Sequence, residues 1–170
     1  MSLTTGVPGL PFQWSPNGLH QFAQVAMTPL VATASGERSF FEIKAPADRV
    51  VYIVSLFTQQ NTHVFYYKSS SETAAATGGG ELAIPDAVQF GGIDATSVIR
   101  TGSSSGSSPA NATTPLVHLS TQTLPFTATM EQAISKYPLL VKPGEYFVVW
   151  ANTANVILYP DIMWLERVVS

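Results

Sequence analysis

The stretch Tyr137–Trp150, YPLLVKPGEYFVVW, indicates the fold class, because it joins two apolar runs through a tight turn. Pro143 sets φ near −65°, and Gly144 accepts the positive φ that a type II turn needs at its next position. The strand that follows is apolar on both faces, with Tyr146, Val148 and Trp150 on one and Phe147, Val149 and Ala151 on the other. Such a strand has to be covered twice, once by a second sheet and once by a loop, an arm or a neighbouring subunit.

The β pattern extends over most of the chain from Gln21 onward, where runs rich in Val, Ile, Phe and Tyr alternate with turn formers. Besides the two runs of the opening stretch, we predict strands over residues 22–33, 38–44, 49–58, 63–68, 81–85, 96–100, 116–121, 123–129 and 156–169. Only Met130–Lys136 has a helical pattern. About eight to ten short strands among these candidate segments predict an all-β fold, a two-sheet antiparallel β-sandwich, and among sandwiches a jelly roll.

The domain organisation follows from length and low-complexity segments. A length of 170 residues is typical of a single domain. Residues 1–19 are rich in Pro and Gly and predict an extended N-terminal arm, and residues 20–170 predict a single β-sandwich domain. Long Ser-, Gly- and Thr-rich loops are expected near 69–80 and 101–115. The arm contains Phe12 and Trp14, and because burial of such side chains is favourable, we expect the arm to dock on a neighbour.

The charge content limits the classes of partner. Only 11% of the residues are charged, against about 25% in an ordinary soluble domain, which suggests that part of the surface is covered in the working state. The net charge of −3 and the scattered basic residues predict no nucleic-acid partner. No apolar run is long enough to predict a membrane span. Cysteine is absent, which excludes disulfides and a cysteine nucleophile.

The search for catalytic residues finds no recognisable pattern. The three histidines lack the spacing of a metal site: His20, His63 and His118. A glycosidase needs a pair of carboxylates, but the spacing of three glutamates selects no pair: Glu42, Glu145 and Glu166. The Pro-Gly turn loosely resembles a turn of metal-binding cupins, but no histidine follows it. We therefore expect no enzyme activity and no catalytic, cofactor-binding or metal-binding residues.

A positive resemblance lies in the same stretch. The run YPLLVKPGEYFVVW, with the closing strand that ends in Trp164-Leu165-Glu166, resembles the C-terminal hairpin of small all-β virion proteins of tailed bacteriophages. It is similar to the capsid cement or decoration group. That resemblance implies a jelly-roll domain that sits on the capsid surface as a homotrimer, with the major capsid protein as its partner and with no cofactor or catalytic residue.

We therefore expect a non-enzymatic structural virion protein that binds the assembled phage capsid and stabilises it. The predicted interface comprises two arm residues and three strand residues: Phe12, Trp14, Tyr146, Val148 and Trp150. The alternative is a receptor- or carbohydrate-binding β-sandwich module of a phage fibre or spike. In that case an exposed aromatic side chain would stack on a sugar ring, and the candidates are Trp14, Tyr66, Tyr67 and Trp150.

Overall fold

The computed structural model describes residues 22–58, 64–85, 89–109, 117–119 and 139–169, with side chains left out at 57–58, 89–91 and 117–119. These residues form eleven strands and no helix. The strands are β1 Phe22–Met27, β2 Arg38–Lys44, β3 Arg49–Thr58, β4 Val64–Ser69, β5 Thr77–Leu82, β6 Gln89–Gly91, β7 Val98–Ser104, β8 Val117–Leu119, β9 Leu139–Val141, β10 Tyr146–Ala151 and β11 Pro160–Val168. None of the described residues form a helix with the length and apolar character of a membrane span.

The strands form two antiparallel sheets that pack against each other, so the predicted β-sandwich is confirmed. The five-stranded sheet has the order β6-β1-β11-β3-β9, and the six-stranded sheet has the order β5-β7-β2-β10-β4-β8. Their inner faces share one core, to which Trp164 and Ile53 contribute from the first sheet and Phe41 from the second. Tyr66 and Phe147 stack in this core with ring centroids 5.8 Å apart.

Eight of the strands pair in a nested order, from the outermost in sequence to the innermost. β1 pairs with β11, β2 with β10, β3 with β9 and β4 with β8, all antiparallel. The other three strands belong to one insertion, residues 70–116, between β4 and β8. The insertion adds β6 to the edge of the five-stranded sheet at β1, and β5 and β7 to the six-stranded sheet at β2. It therefore widens both sheets on the same side.

The turn at Pro143-Gly144 has the predicted backbone but connects different partners than expected. Gly144 has φ of 76°, and the Glu145 amide donates to the Lys142 carbonyl at 3.0 Å. However, β9 lies in the five-stranded sheet and β10 in the six-stranded sheet, so the expected hairpin is wrong. Both edges of β10 are already paired, with β2 and with β4, and β9 therefore has to pair elsewhere. The turn is a corner between the two sheets.

Two predicted loops contain strands. β5 occupies the end of the expected 69–80 loop, and β7 extends to Ser104 in the expected 101–115 loop. Small residues allow this pairing: a Cβ at Gly102 would lie 2.7 Å from the Gly79 amide nitrogen. β5 is an edge strand whose register shifts between Gly78 and Gly80, and both Gly78 and Gly79 have positive φ. Hydrogen bonding of the backbone thus forms strands that side-chain composition does not predict.

The first predicted strand is shorter than expected. It ends at Met27 and not at residue 33, because Pro29 lacks the amide that a continuing strand would use. β1 is not an edge strand, since it pairs with both β11 and β6. The predicted arm at 1–19, strand at 123–129 and helical turn at 130–136 lie outside the described residues.

The Gly144→Ala substitution should lower the free energy of unfolding by about 1 kcal/mol, because alanine is strained at positive φ. Nothing lies within 4 Å of the added Cβ, so the loss is conformational and not steric. Urea denaturation measures it. The matched control is Gly80→Ala, which also meets open space but has no positive φ and should change stability by less than about 0.5 kcal/mol. Equal losses in the two variants would contradict this assignment of the turn.

Candidate functional site

The predicted interface residues of β10 lie in an aromatic cluster on the outer face of the six-stranded sheet, the face turned away from the five-stranded sheet. Tyr146, Val148 and Trp150 pack there with Phe40 and Tyr67. The rings of Phe40 and Trp150 stack at 5.9 Å with an interplanar angle of 11°. All six residues of β10 are buried, so this strand is covered on both faces as predicted.

The outer face is covered in part by the chain itself. Residues 72–76, which we call the covering segment, lead into β5 and reach this face: Ala75 packs on the aromatic cluster, and the Ala76 amide donates to the Ser103 carbonyl of β7 at 2.9 Å. Trp150 and Val148 are 0% exposed in the single chain. They are core residues, and a neighbouring subunit cannot contact them while this face stays covered. Of the other predicted interface residues, Phe12 and Trp14 lie outside the described residues.

A buried ion pair holds the covering segment in place. Glu42 of β2 is 0% exposed and accepts from Arg100 Nη1 of β7 at 2.8 Å, opposite it in the sheet. The second oxygen of Glu42 accepts from the Thr73 amide at 2.9 Å. Arg100 donates from Nε to the Gly79 carbonyl at 3.2 Å, and its Nη2 lies 3.0 Å from Glu72. The covering segment and the strand β5 that follows it are therefore tied to one pair of charges.

A second buried glutamate connects the two sheets. Glu166 of β11 is 0% exposed, and its Oε2 accepts from Arg49 and from the Thr96 amide, both at 2.9 Å. Its Oε1 accepts from the Ser97 amide at 3.0 Å and from the Trp164 indole at 3.2 Å. Thr96 and Ser97 lead directly into β7, so this carboxylate fixes the insertion to the five-stranded sheet.

The third glutamate singled out in the sequence, Glu145, lies at the corner between the sheets. Burial alone would raise the pKa of its carboxyl group, but the hydrogen bond from the Lys142 amide at 3.0 Å and the nearby Lys68 ammonium together lower this pKa below its usual value. Lys68 Nζ lies 3.4 Å from the carboxylate. Glu145 thus stays ionised and stabilises the turn.

The structure does not bring these glutamates together as a reacting pair. Glu42 and Glu166 lie in different sheets, and the oxygens of each are occupied by an arginine and by backbone amides. The arrangement can fix loops in position. No group of His, Cys, Asp and Glu in the described residues could hold a metal ion. His20 and His63 lie outside those residues, and only the backbone of His118 is described.

An exposed apolar surface lies at one end of the sandwich. It consists of Leu30, Ile157 and Tyr159, which are 61%, 43% and 42% exposed, and we call it the end patch. The two connections that carry it, β1 to β2 and β10 to β11, are joined by an isolated bridge between Val31 and Leu158. Because Val31 and Leu158 are buried, their neighbours along the chain point outward.

The end patch has a well-supported backbone and no charge. The Asn155 amide donates to the Glu37 carbonyl at 2.9 Å, and the Asn155 side chain accepts from the Gly36 amide at 2.6 Å. Ser39 Oγ donates to the Val156 carbonyl at 2.6 Å. Residues 28–36 and 152–160 contain no Asp, Glu, Lys or Arg. This patch is not among the surfaces predicted from the sequence, although apolar residues beside turn formers such as Pro29 are a signal for it.

Three of the four aromatic residues that are candidates for sugar binding are buried in this structure. Tyr66, Tyr67 and Trp150 are 0%, 5% and 0% exposed, so no ring face is open for stacking on a sugar. Trp14 lies outside the described residues.

Comparison with known proteins identifies no relative: no protein-family model, no curated protein and no solved structure matches the chain. The function is therefore inferred from the fold and from the surfaces described above.

The Glu42→Gln substitution should lower the free energy of unfolding by about 3 kcal/mol, because it removes the buried carboxylate of the pair and leaves the Arg100 guanidinium with the exposed Glu72 as its remaining acidic partner. Urea denaturation measures the loss. The double variant Glu42→Leu with Arg100→Met should recover most of it, since neither charge is then buried. The control is Glu72→Gln, whose side chain is 60% exposed and whose loss should stay below about 1 kcal/mol. Similar losses for Glu42→Gln and Glu72→Gln would refute the anchoring role of the buried pair.

The Glu145→Gln variant should be less stable than the wild type near neutral pH, and the difference should vanish in acid. A lowered pKa in the folded protein stabilises it above the ordinary carboxyl value of 4.5, and that contribution is lost as the pH falls through the folded-state pKa. Unfolding curves between neutral pH and pH 3 check this. In a Lys68→Met background the Glu145→Gln substitution should lower stability by less. A stability difference between Glu145→Gln and the wild type that persists at pH 3 would be inconsistent with this account.

Proposed function

We propose that this protein is a non-enzymatic structural protein that attaches to an assembled phage capsid and stabilises it, as cement or decoration proteins do. The observation that carries the proposal is the end patch. An apolar, uncharged and well-supported surface left open on a sandwich is typical of a protein that works by contact with another protein. The buried carboxylates support the same view, because Glu42 and Glu166 both act as structural ties.

The strand pairing supports assignment to the jelly-roll subclass. In a jelly roll the eight strands of a long antiparallel ribbon pair first with eighth, second with seventh, third with sixth and fourth with fifth. The nested pairs of β1–β11, β2–β10, β3–β9 and β4–β8 follow this scheme once the insertion is set aside. The jelly roll is also the fold implied by the resemblance to capsid decoration proteins.

The proposed mechanism is thermodynamic. A protein that binds the assembled capsid better than the dissociated capsid proteins stabilises the assembly by the difference between the two binding free energies. Low surface charge favours such contacts, because the cores of protein interfaces are depleted of charged residues. The proposal places the protein on the virion surface with the major capsid protein as partner, and the trimeric state comes from the resemblance alone. The carbohydrate-binding alternative has less support, because its candidate rings Tyr66, Tyr67 and Trp150 are buried.

The proposal predicts that the purified protein binds saturably to capsids assembled from the major capsid protein of the same genome and raises their melting temperature. Co-sedimentation measures occupancy, and scanning calorimetry measures capsid stability. A variant without residues 1–19 should remain folded by circular dichroism but occupy fewer sites, because it lacks Phe12 and Trp14. A wild-type protein that leaves capsids unoccupied while binding sugars on a glycan array would replace this proposal with the recognition module.

A further inference from the structure

The end patch and the start of the described chain lie at opposite ends of the sandwich. β1 begins at Phe22, opposite Arg167, and ends at Met27, opposite Ile162. The end patch follows Met27, whereas residues 1–21 precede Phe22. A six-residue strand spans about 20 Å, and that distance separates the two ends of β1.

The N-terminal segment and the end patch have matching chemistry. Residues 1–21, MSLTTGVPGLPFQWSPNGLHQ, contain no Asp, Glu, Lys or Arg, and their apolar side chains include Leu10, Phe12 and Trp14. Residues 28–36 and 152–160, which carry the end patch, also contain no charged side chain, and Glu37 follows the first of these segments. Copies of the protein repel each other, because each has a net charge of −3. Contact between two uncharged apolar surfaces adds least to this repulsion.

The length of the N-terminal segment allows it to reach a neighbour. Phe12 precedes Phe22 by ten residues, which span up to about 33 Å when extended. To reach the end patch of its own chain, the segment would have to reverse direction at Phe22 and run back along the whole sheet. In a neighbouring copy whose end patch faces the Phe22 end, the segment can continue in the direction in which it leaves β1.

We propose that the end patch of each copy binds residues 10–14 of a second copy, which packs Leu10, Phe12 and Trp14 against Leu30, Ile157 and Tyr159. Such a contact is head to tail, because the two surfaces involved are different. It closes into a ring when the rotation between copies permits, and the trimer implied by the resemblance would be such a ring. The inference rests on the proposed function in treating the end patch as a protein contact, and it assigns that contact to a second copy, so that the capsid is bound by the assembled oligomer and not by the end patch itself.

The test uses full-length variants and light scattering after size-exclusion chromatography, over a range of concentrations and without capsids. The wild type should be an oligomer. The Phe12→Ser/Trp14→Ser variant loses the inserted side chains, and the Ile157→Asp variant places a charge in the end patch. Each should weaken self-association about 10-fold or more. The matched control is Leu140→Asp, since Leu140 is 39% exposed on the edge strand β9, paired with Tyr52 and away from both ends of β1, and should leave association unchanged.

Mixing the two defective variants is the decisive measurement. One retains an intact end patch and the other an intact N-terminal segment, so together they should form a 1:1 complex that neither forms alone. No complex on mixing, a monomeric wild type, or variants that associate as the wild type does would each overturn the inference and indicate docking within one chain or on another partner. Urea unfolding verifies that each variant is folded, and Tyr159→Ser replaces Ile157→Asp if that variant is not. Oligomers that fail to occupy capsids would refute the proposed function and leave this inference intact.

Discussion

The buried pair Glu42–Arg100 determines how the outer face of the six-stranded sheet is covered. A carboxylate removed from water costs several kcal/mol unless it is paired and its oxygens accept hydrogen bonds. Glu42 meets this requirement through Arg100 and the Thr73 amide, and both partners belong to the insertion. The charge on β2 therefore draws the covering segment onto the sheet, and the aromatic cluster below it becomes a second core.

A second buried carboxylate, Glu166, fixes the insertion to the five-stranded sheet. Glu166 binds the Thr96 and Ser97 amides just before β7, and Arg49 balances its charge. The chain has few charged residues, and two of its buried carboxylates hold a segment of low complexity against a regular sandwich. This use of charge explains how a Ser- and Gly-rich stretch stays ordered without a large apolar surface of its own. Because the insertion covers the outer face of the six-stranded sheet, the end patch is the exposed surface best suited to contact with another protein.

Sequence reasoning succeeded where the signal is local. β2 and β3 have the predicted bounds, because their apolar residues follow the strand pattern strongly, and Gly144 has the predicted positive φ. It failed where pairing is distant. The Glu42–Arg100 contact joins residues 58 apart in sequence, and the destination of β9 depends on both edges of β10 being taken. The double burial of β10 was therefore predictable, whereas the segment that covers it and the strand that pairs with β9 were not.

The irregular edge strand β5 bears on how copies of this protein can meet. A flat strand at the edge of a sheet offers amides and carbonyls to any other chain, and copies brought close together can then join into continuous sheets. The register shift at Gly78–Gly80 and the positive φ of Gly78 and Gly79 interrupt that row of groups. Crowding should therefore not join copies into fibrils through this edge. Copies can still associate through side-chain contacts, which are limited in number and have a defined geometry.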